Sequence, residues 1–192
     1  MAEDAVTLIT RDHREMERLF EKLRKRGPER ERLCQQVVAL LQAHSRAEEE
    51  HVYPAVVQAA PGEKGEVHHG KEEHEQAERL AHRLLRQDPD SPEFDRVLAE
   101  LVEAIEHHVR EEETEVLPTL AEAVGRERLL ELGRLFGERR RRELEQAGVT
   151  IPSARRASEP TRAELYRVAQ ERGIEGRSKM TKEELRRALG ES

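Results

Sequence analysis

The chain is expected to be all-α, an up-down-up-down four-helix bundle with an extra helix and a small C-terminal helical module. Three observations lead to this. Leu, Ala, Glu and Arg dominate, while three Phe, two Tyr and no Trp leave little of what a sheet needs. Apolar residues recur every three or four positions through long segments. Gly-Pro, Pro-Gly and Asp-Pro steps divide those segments with short connections, which makes neighbouring helices antiparallel. With 39% charged and 35% hydrophobic residues, no stretch approaches the ~18 apolar residues of a membrane span.

The elements follow in order. Segment 4–26 places Val6, Ile9, Met16, Leu19, Phe20 and Leu23 on one stripe and stops at Gly27-Pro28. Segment 28–59 carries Leu33, Val37, Leu40, Leu41, Val52 and Val56, then breaks at Pro61-Gly62. Segment 66–87 carries Val67, Ala77, Ala81, Leu84 and Leu85 and ends before Asp88-Pro89. Ser91-Pro92 is a helix start, with Ser as N-cap and Pro in the first turn. That fourth helix runs to about Val124 through Phe94, Val97, Leu98, Leu101, Ile105, Val116 and Leu120. A fifth, 126–147, is Arg-rich on one side and reads as a packing or connecting helix. Pro54 and Pro118 fall inside helices and are expected to kink or end them.

Charge separates a body from a tail. Residues 1–137 hold 20 Lys/Arg against 31 Asp/Glu, whereas residues 160–192 hold eight against six. The one cysteine, Cys34, has no internal partner, which points to a reducing cytoplasm. The N-terminus lacks the basic and apolar regions of a signal peptide.

Nine histidines in so acidic a chain need an account, and a repeat supplies one. His44-x3-Glu48 is followed by Pro54, and His108-x3-Glu112 by Pro118, at an offset of 64 residues. Each preceding helix contributes one histidine, His13 and His74. The chain therefore reads as two copies of a helix pair. Helical phase puts all six residues on the inward stripes near the middle of the bundle. A buried carboxylate costs several kcal/mol unless it is paired or binds a metal. No Lys or Arg shares these stripes. Imidazole and carboxylate at i and i+4 on facing helices are how di-iron and di-manganese bundles present ligands. Core histidines satisfied by nearby glutamates would explain one such residue, but not six in a repeated pattern.

The pattern His13 … His44-x3-Glu48-x5-Pro54 … His74 … His108-x3-Glu112-x5-Pro118 resembles the hemerythrin-like, or HHE cation-binding, domain over roughly residues 3–124. The resemblance implies a four-helix bundle with a non-haem di-iron centre, often oxo-bridged, that binds dioxygen or responds to oxygen, nitric oxide or iron. It also implies His13, His44, Glu48, His74, His108 and Glu112 as ligands. Two positions depart from the oxygen carriers. Those have a further histidine four residues before the third-helix ligand, where this chain has Gly70, and a last carboxylate at the place of Glu113. The departures point away from reversible oxygen transport and toward sensing, storage or redox chemistry.

Other residues take secondary readings. His107 adjoins His108 but turns about 100° away on a helix, to the surface. His51 and Glu115 lie near the stripe edges, solvated or orienting ligands. Tyr53 packs, donates to a bridging oxygen or ligates iron. His68, His69 and His82 read as surface residues, and Cys34 as buried filler. Glu49, Glu111 and Glu113 are the acid/base candidates if the centre turns over peroxide, nitric oxide or ferrous iron. Residues 148–160 read as a linker. Residues 161–192 show two capping boxes, Thr161-x-x-Glu164 and Thr181-x-x-Glu184. This tail resembles the N-terminal domain of transcription terminator Rho and SAP-like modules. That implies a nucleic-acid contact through Arg177, Lys179 and Lys182, or a protein-interaction appendage.

Overall fold

The structure, a computed structural model, describes residues 3–151, 174 and 180–189. The chain forms two compact units, Met1–Ile151 and Pro152–Ser192. The first contains seven α-helices. α1 is Ala5–Leu23, α2 Arg30–Ala47, α3 Tyr53–Ala59, α4 Lys64–Leu84, α5 Pro92–Glu111, α6 Leu117–Ala123 and α7 Arg126–Gln146. No strand occurs among the described residues. α1, α2, α4 and α5 are the antiparallel bundle, and α3 and α6 are extensions of α2 and α5.

Caps set two of the starts. Asp4 accepts from Thr7 N–H at 2.8 Å to open α1. Ser91 accepts from Phe94 N–H at 3.1 Å to open α5, with Pro92 in the first turn. Leu85 falls beyond the end of α4 and is 42% exposed, so it is not on the inward stripe the periodicity suggested.

The two internal prolines neither end nor break their helices. A single π-helical turn precedes each one, Glu48–Val52 and Glu112–Val116. Tyr53 N–H donates to the carbonyl of Glu48, and Leu117 N–H to that of Glu112. Proline has no N–H for the i−4 carbonyl, and its ring would strike that carbonyl in a regular helix. The wider turn carries the chain past it. The extra residue also resets the helical phase. Five residues, not four, separate Glu48 from Tyr53 and Glu112 from Leu117, and both of the latter are buried.

The apolar interior is divided. Toward one end, Leu19, Leu23, Leu40, Leu84, Phe94 and Leu101 fill the bundle. Toward the other lie Ile9, Val52, Val56, Leu120, Leu132 and Phe136. The polar residues of the repeat sit between these two cores. α7 packs on α1 and α2 and closes their outer side. It comes very near α1: a Cβ on Gly133 would lie 2.3 Å from the carbonyl oxygen of Glu3.

In the second unit, α8 spans Lys182–Ala188 and opens with the capping box expected at Thr181. Thr181 N–H donates to Glu184 at 2.7 Å, and Glu184 N–H donates to the Thr181 hydroxyl at 3.3 Å. Leu185 and Leu189 are buried, with Ile174 and Met180 against them.

Candidate metal centre

All six residues of the repeat converge. His13, His44, His74, His108, Glu48 and Glu112 are each buried. They form two halves. His13 and His44 face each other with their Nε2 atoms 3.2 Å apart, and His74 and His108 do the same at 3.1 Å. The two glutamates lie between the halves. Glu48 Oε2 is 3.2 Å from His44 Nε2 and 3.4 Å from His74 Nε2. Glu112 Oε2 is 3.2 Å from His13 Nε2 and 3.9 Å from His108 Nε2.

The other ring nitrogens explain why the Nε2 atoms of His13, His74 and His108 point inward. His13 Nδ1–H donates to Glu113 at 2.8 Å, His74 Nδ1–H to Glu49 at 3.0 Å, and His108 Nδ1–H to Glu73 at 2.9 Å. His44 Nδ1 faces Asp12 at 3.7 Å, and Arg140 holds that aspartate at 2.5 Å. Ionised carboxylates only accept, so each donating Nδ1 keeps its proton and leaves Nε2 a bare lone pair. The arrangement is two-fold. The residue after each glutamate serves a histidine of the other half, and the residue before each first histidine serves that histidine's partner. Asp12 and Glu73 carry no signal in the motif itself, and Glu49 and Glu113 enter the sequence reading as acid/base candidates. The signal lies just beside the motif, since an acid precedes both His13 and His74 and follows both Glu48 and Glu112.

Such a site fits a cation. All four carboxylate oxygens of Glu48 and Glu112 are buried without a hydrogen-bond partner. Facing Nε2 lone pairs at 3.1–3.2 Å repel unless something positive lies near them. Imidazole and carboxylate are the donors that iron, manganese and zinc accept. Without a metal, protons take its place. Burial works against a charged His44, but Glu48 and Asp12 outweigh it and push its pKa up to about 10. His74 is likewise penalised by burial, yet Glu48 and Glu49 raise it to about 9. Glu48 is opposed by burial too, and His44 and His74 hold it well below the usual carboxylate range.

The remaining candidates separate clearly. Tyr53 is buried, stacked on His74 with ring centroids 5.5 Å apart. Its hydroxyl lies 3.4 Å from His74 Nε2. It occupies the space beside Gly70, where an added Cβ would meet the Tyr53 hydroxyl at 2.8 Å. Burial and the nearby Glu112 and Glu48 raise its phenol well above the ordinary value. Glu112 points into the bundle, whereas Glu113 supports His13 from outside. His107 is exposed, as are His68, His69 and His82. His51 pairs with Glu50 at 3.4 Å and does not join the centre. Cys34 is buried, and that burial pushes its thiol up to about 11, which keeps it inert. Arg177 and Lys179 lie outside the described residues, and Lys182 opens α8.

Fold and site together define a cation-binding helical bundle. The Hemerythrin HHE cation binding domain family matches residues 4–120, and the chain belongs to it. A solved structure, a hemerythrin HHE cation-binding domain-containing protein from Mycobacterium kansasii, is similar in fold at a TM-score of 0.66 and 23% identity. The match covers 75% of this chain and 89% of that one. No curated protein matches the chain. The likeness of the tail to Rho and SAP-like modules finds no support in these comparisons. No described helix is long and apolar enough to cross a membrane.

Proposed function

We propose that the chain holds two iron ions and uses them to bind or sense a molecule of diatomic size, dioxygen or nitric oxide. His13 and His44 would hold one ion, His74 and His108 the other, with Glu48 and Glu112 between them. The partnerless carboxylate oxygens of Glu48 and Glu112 carry this reading. Iron bound there supplies Lewis acidity and one-electron redox chemistry. Six protein donors for two ions leave coordination positions free for an exogenous ligand.

The protein's own contribution is shape and orientation. A cleft lined by Tyr53, Glu66, Gly70, Glu73, His108 and Glu112 offers about 10 Å³. That admits about one water-sized molecule. Glu49, Glu73 and Glu113 orient three of the four imidazoles by hydrogen bonds, and Asp12 faces the fourth, His44, at 3.7 Å. Tyr53 brings its hydroxyl to 3.4 Å from His74 Nε2. It favours a second reading, redox turnover of peroxide, nitric oxide or ferrous iron, in which the phenol donates a hydrogen bond to the bound ligand.

The test is metal analysis with an optical spectrum, after reconstitution with ferrous iron in air. About two irons per chain and near-ultraviolet ferric bands are expected, both lost in His44→Ala or Glu112→Ala. Well under one iron per chain would end the proposal.

A further inference from the structure

A second group of metal-ligand side chains lies on the surface of the same helix pair. His69 and Glu73 are one turn apart on α4, and His107 and Glu111 one turn apart on α5. Because the helices run antiparallel, His69 meets Glu111 and Glu73 meets His107. The four ligand atoms all lie within 4.8 Å of one another. His69 Nε2 is 3.6 Å from Glu73 and 3.7 Å from Glu111, and His107 Nε2 is 3.6 Å from Glu73 and 3.2 Å from Glu111.

Those distances fit a shared ion better than ion pairing. Three of the four exceed hydrogen-bond length. A tetrahedral ion with bonds of ~2.0–2.1 Å places its ligand atoms about 3.3–3.4 Å apart, close to the observed spacing. Both pairs are His-x3-Glu, the motif of the buried centre, set on neighbouring helices.

Two further observations give the cluster a direction. Glu73 uses its other oxygen, Oε2, to accept from His108 Nδ1–H, so one carboxylate touches both the surface cluster and the buried centre. Glu73 and Glu111 also line the narrow cleft that His108 and Glu112 line. An adjoining groove of about 530 Å³ adds Glu103 and Glu106 against Arg110. Carboxylates along a concave surface concentrate cations there.

We propose that His69, Glu73, His107 and Glu111 form a third, solvent-facing site for a divalent transition-metal ion, which captures the ion and delivers it past Glu73 to the buried centre. Capture does not depend on the buried pair, whereas delivery rests on the di-metal reading above. Imidazole with carboxylate selects for ions such as Fe²⁺, Co²⁺ or Zn²⁺ over Mg²⁺ or Ca²⁺. A site whose two histidines are half exposed holds its ion more loosely than the buried one, as transfer requires.

Chelator-stripped full-length protein is titrated with Co²⁺ and the bound metal counted. Wild type should take three ions per chain, His69→Ala/His107→Ala two, and His44→Ala/His74→Ala at least one but fewer than three. Equal uptake by wild type and His69→Ala/His107→Ala overturns the site. Equal uptake by wild type and His44→Ala/His74→Ala instead overturns the buried centre. Delivery is read from the growth of the near-ultraviolet ferric band after adding Fe²⁺ in air. The surface variant should be at least about tenfold slower with the same final amplitude, and an unchanged rate overturns delivery. His69 and His107 are 51% and 53% exposed, so their loss leaves the core intact. A far-ultraviolet circular dichroism spectrum checks this, and His69→Gln/His107→Gln repeats the measurement should the alanine variant misfold.

Discussion

Glu49 and Glu113 show how much a residue's role depends on what it faces. On a helical wheel each is one step off the inward stripe, and a glutamate there reads as solvated. In the fold each accepts from the Nδ1–H of a buried imidazole, at 3.0 Å and 2.8 Å. Such partners fix ring orientation and tautomer, and losing one typically lowers metal affinity 10–100-fold. Glu113→Ala and Glu49→Ala are therefore expected to weaken metal binding by that order without unfolding the protein. Competition against a chelator of known affinity measures it, and unchanged affinity in both would remove the orienting role. Arg30 is a structural counterpart that the sequence reading passed over. It is buried, donates to the Leu23 carbonyl at 2.8 Å, and stacks 4.4 Å over Phe94. It also bonds Pro89 and Asp95. One guanidinium thus ties the α1–α2 connection to the α4–α5 connection.

Helix boundaries were largely legible, because caps and breakers are local. Ser91-Pro92 opened α5 as expected, and Gly27-Pro28 followed α1 within a few residues. The π turns were not legible. Pro54 and Pro118 signal a disturbance, but whether a helix ends, bends or widens depends on what its far side packs against. Here α3 and α6 continue into a buried cluster, so ending the helix would forfeit that burial. α7 reads as a packing or connecting helix from its sequence, yet its seat is not foreseeable there, since close approach appears only once the partners are placed. Gly133 marks that seat. In Gly133→Ala the new methyl would meet the backbone of Glu3 and Asp4, at 2.3 and 2.7 Å, with no flexible side chain to yield. Overpacking of this kind costs about 1–3 kcal/mol, which urea denaturation would register as a lower midpoint. An unchanged midpoint would mean that α7 does not bear on α1 in solution.

At the scale of the whole molecule, the bundle encloses charge that nothing but a cation or protons can balance. The metal-free protein should therefore depend strongly on pH. His44 and His74 are raised from an ordinary 6.5 to about 10 and about 9. Raised values contribute stability that is complete below pH 6.5 and lost as pH rises through 9 and 10. Asp12, Glu73 and Glu113 are shifted the other way. Burial opposes the ionised form of Asp12 and of Glu73, but His44 with Arg140 and His108 respectively outweigh it. The hydrogen bond from His13 lowers Glu113. Their contribution is present above the usual carboxylate range and lost as pH falls through the lowered values. Chelator-stripped protein should thus be most stable near pH 5–6.5, with Tm falling on both sides. Loading with metal should flatten the alkaline decline, since the ion replaces the protons. A Tm of the stripped protein that rises from pH 7 to 10 would contradict this.

The sequence by itself determined the class of the fold, the inward set of four histidines and two glutamates, and their two-copy arrangement. Periodicity and spacing are properties of one helix at a time, and the bundle only had to bring the copies together. Tertiary structure alone decided which nitrogen of the His13, His74 and His108 rings points inward, because that depends on Glu113, Glu49 and Glu73 reaching across from other helices. It also decided that Tyr53 fills the space beside Gly70, through a turn widened by one residue. His69 and His107 gained a shared environment in the same way, since two exposed histidines acquire a common neighbour only when α4 and α5 lie side by side.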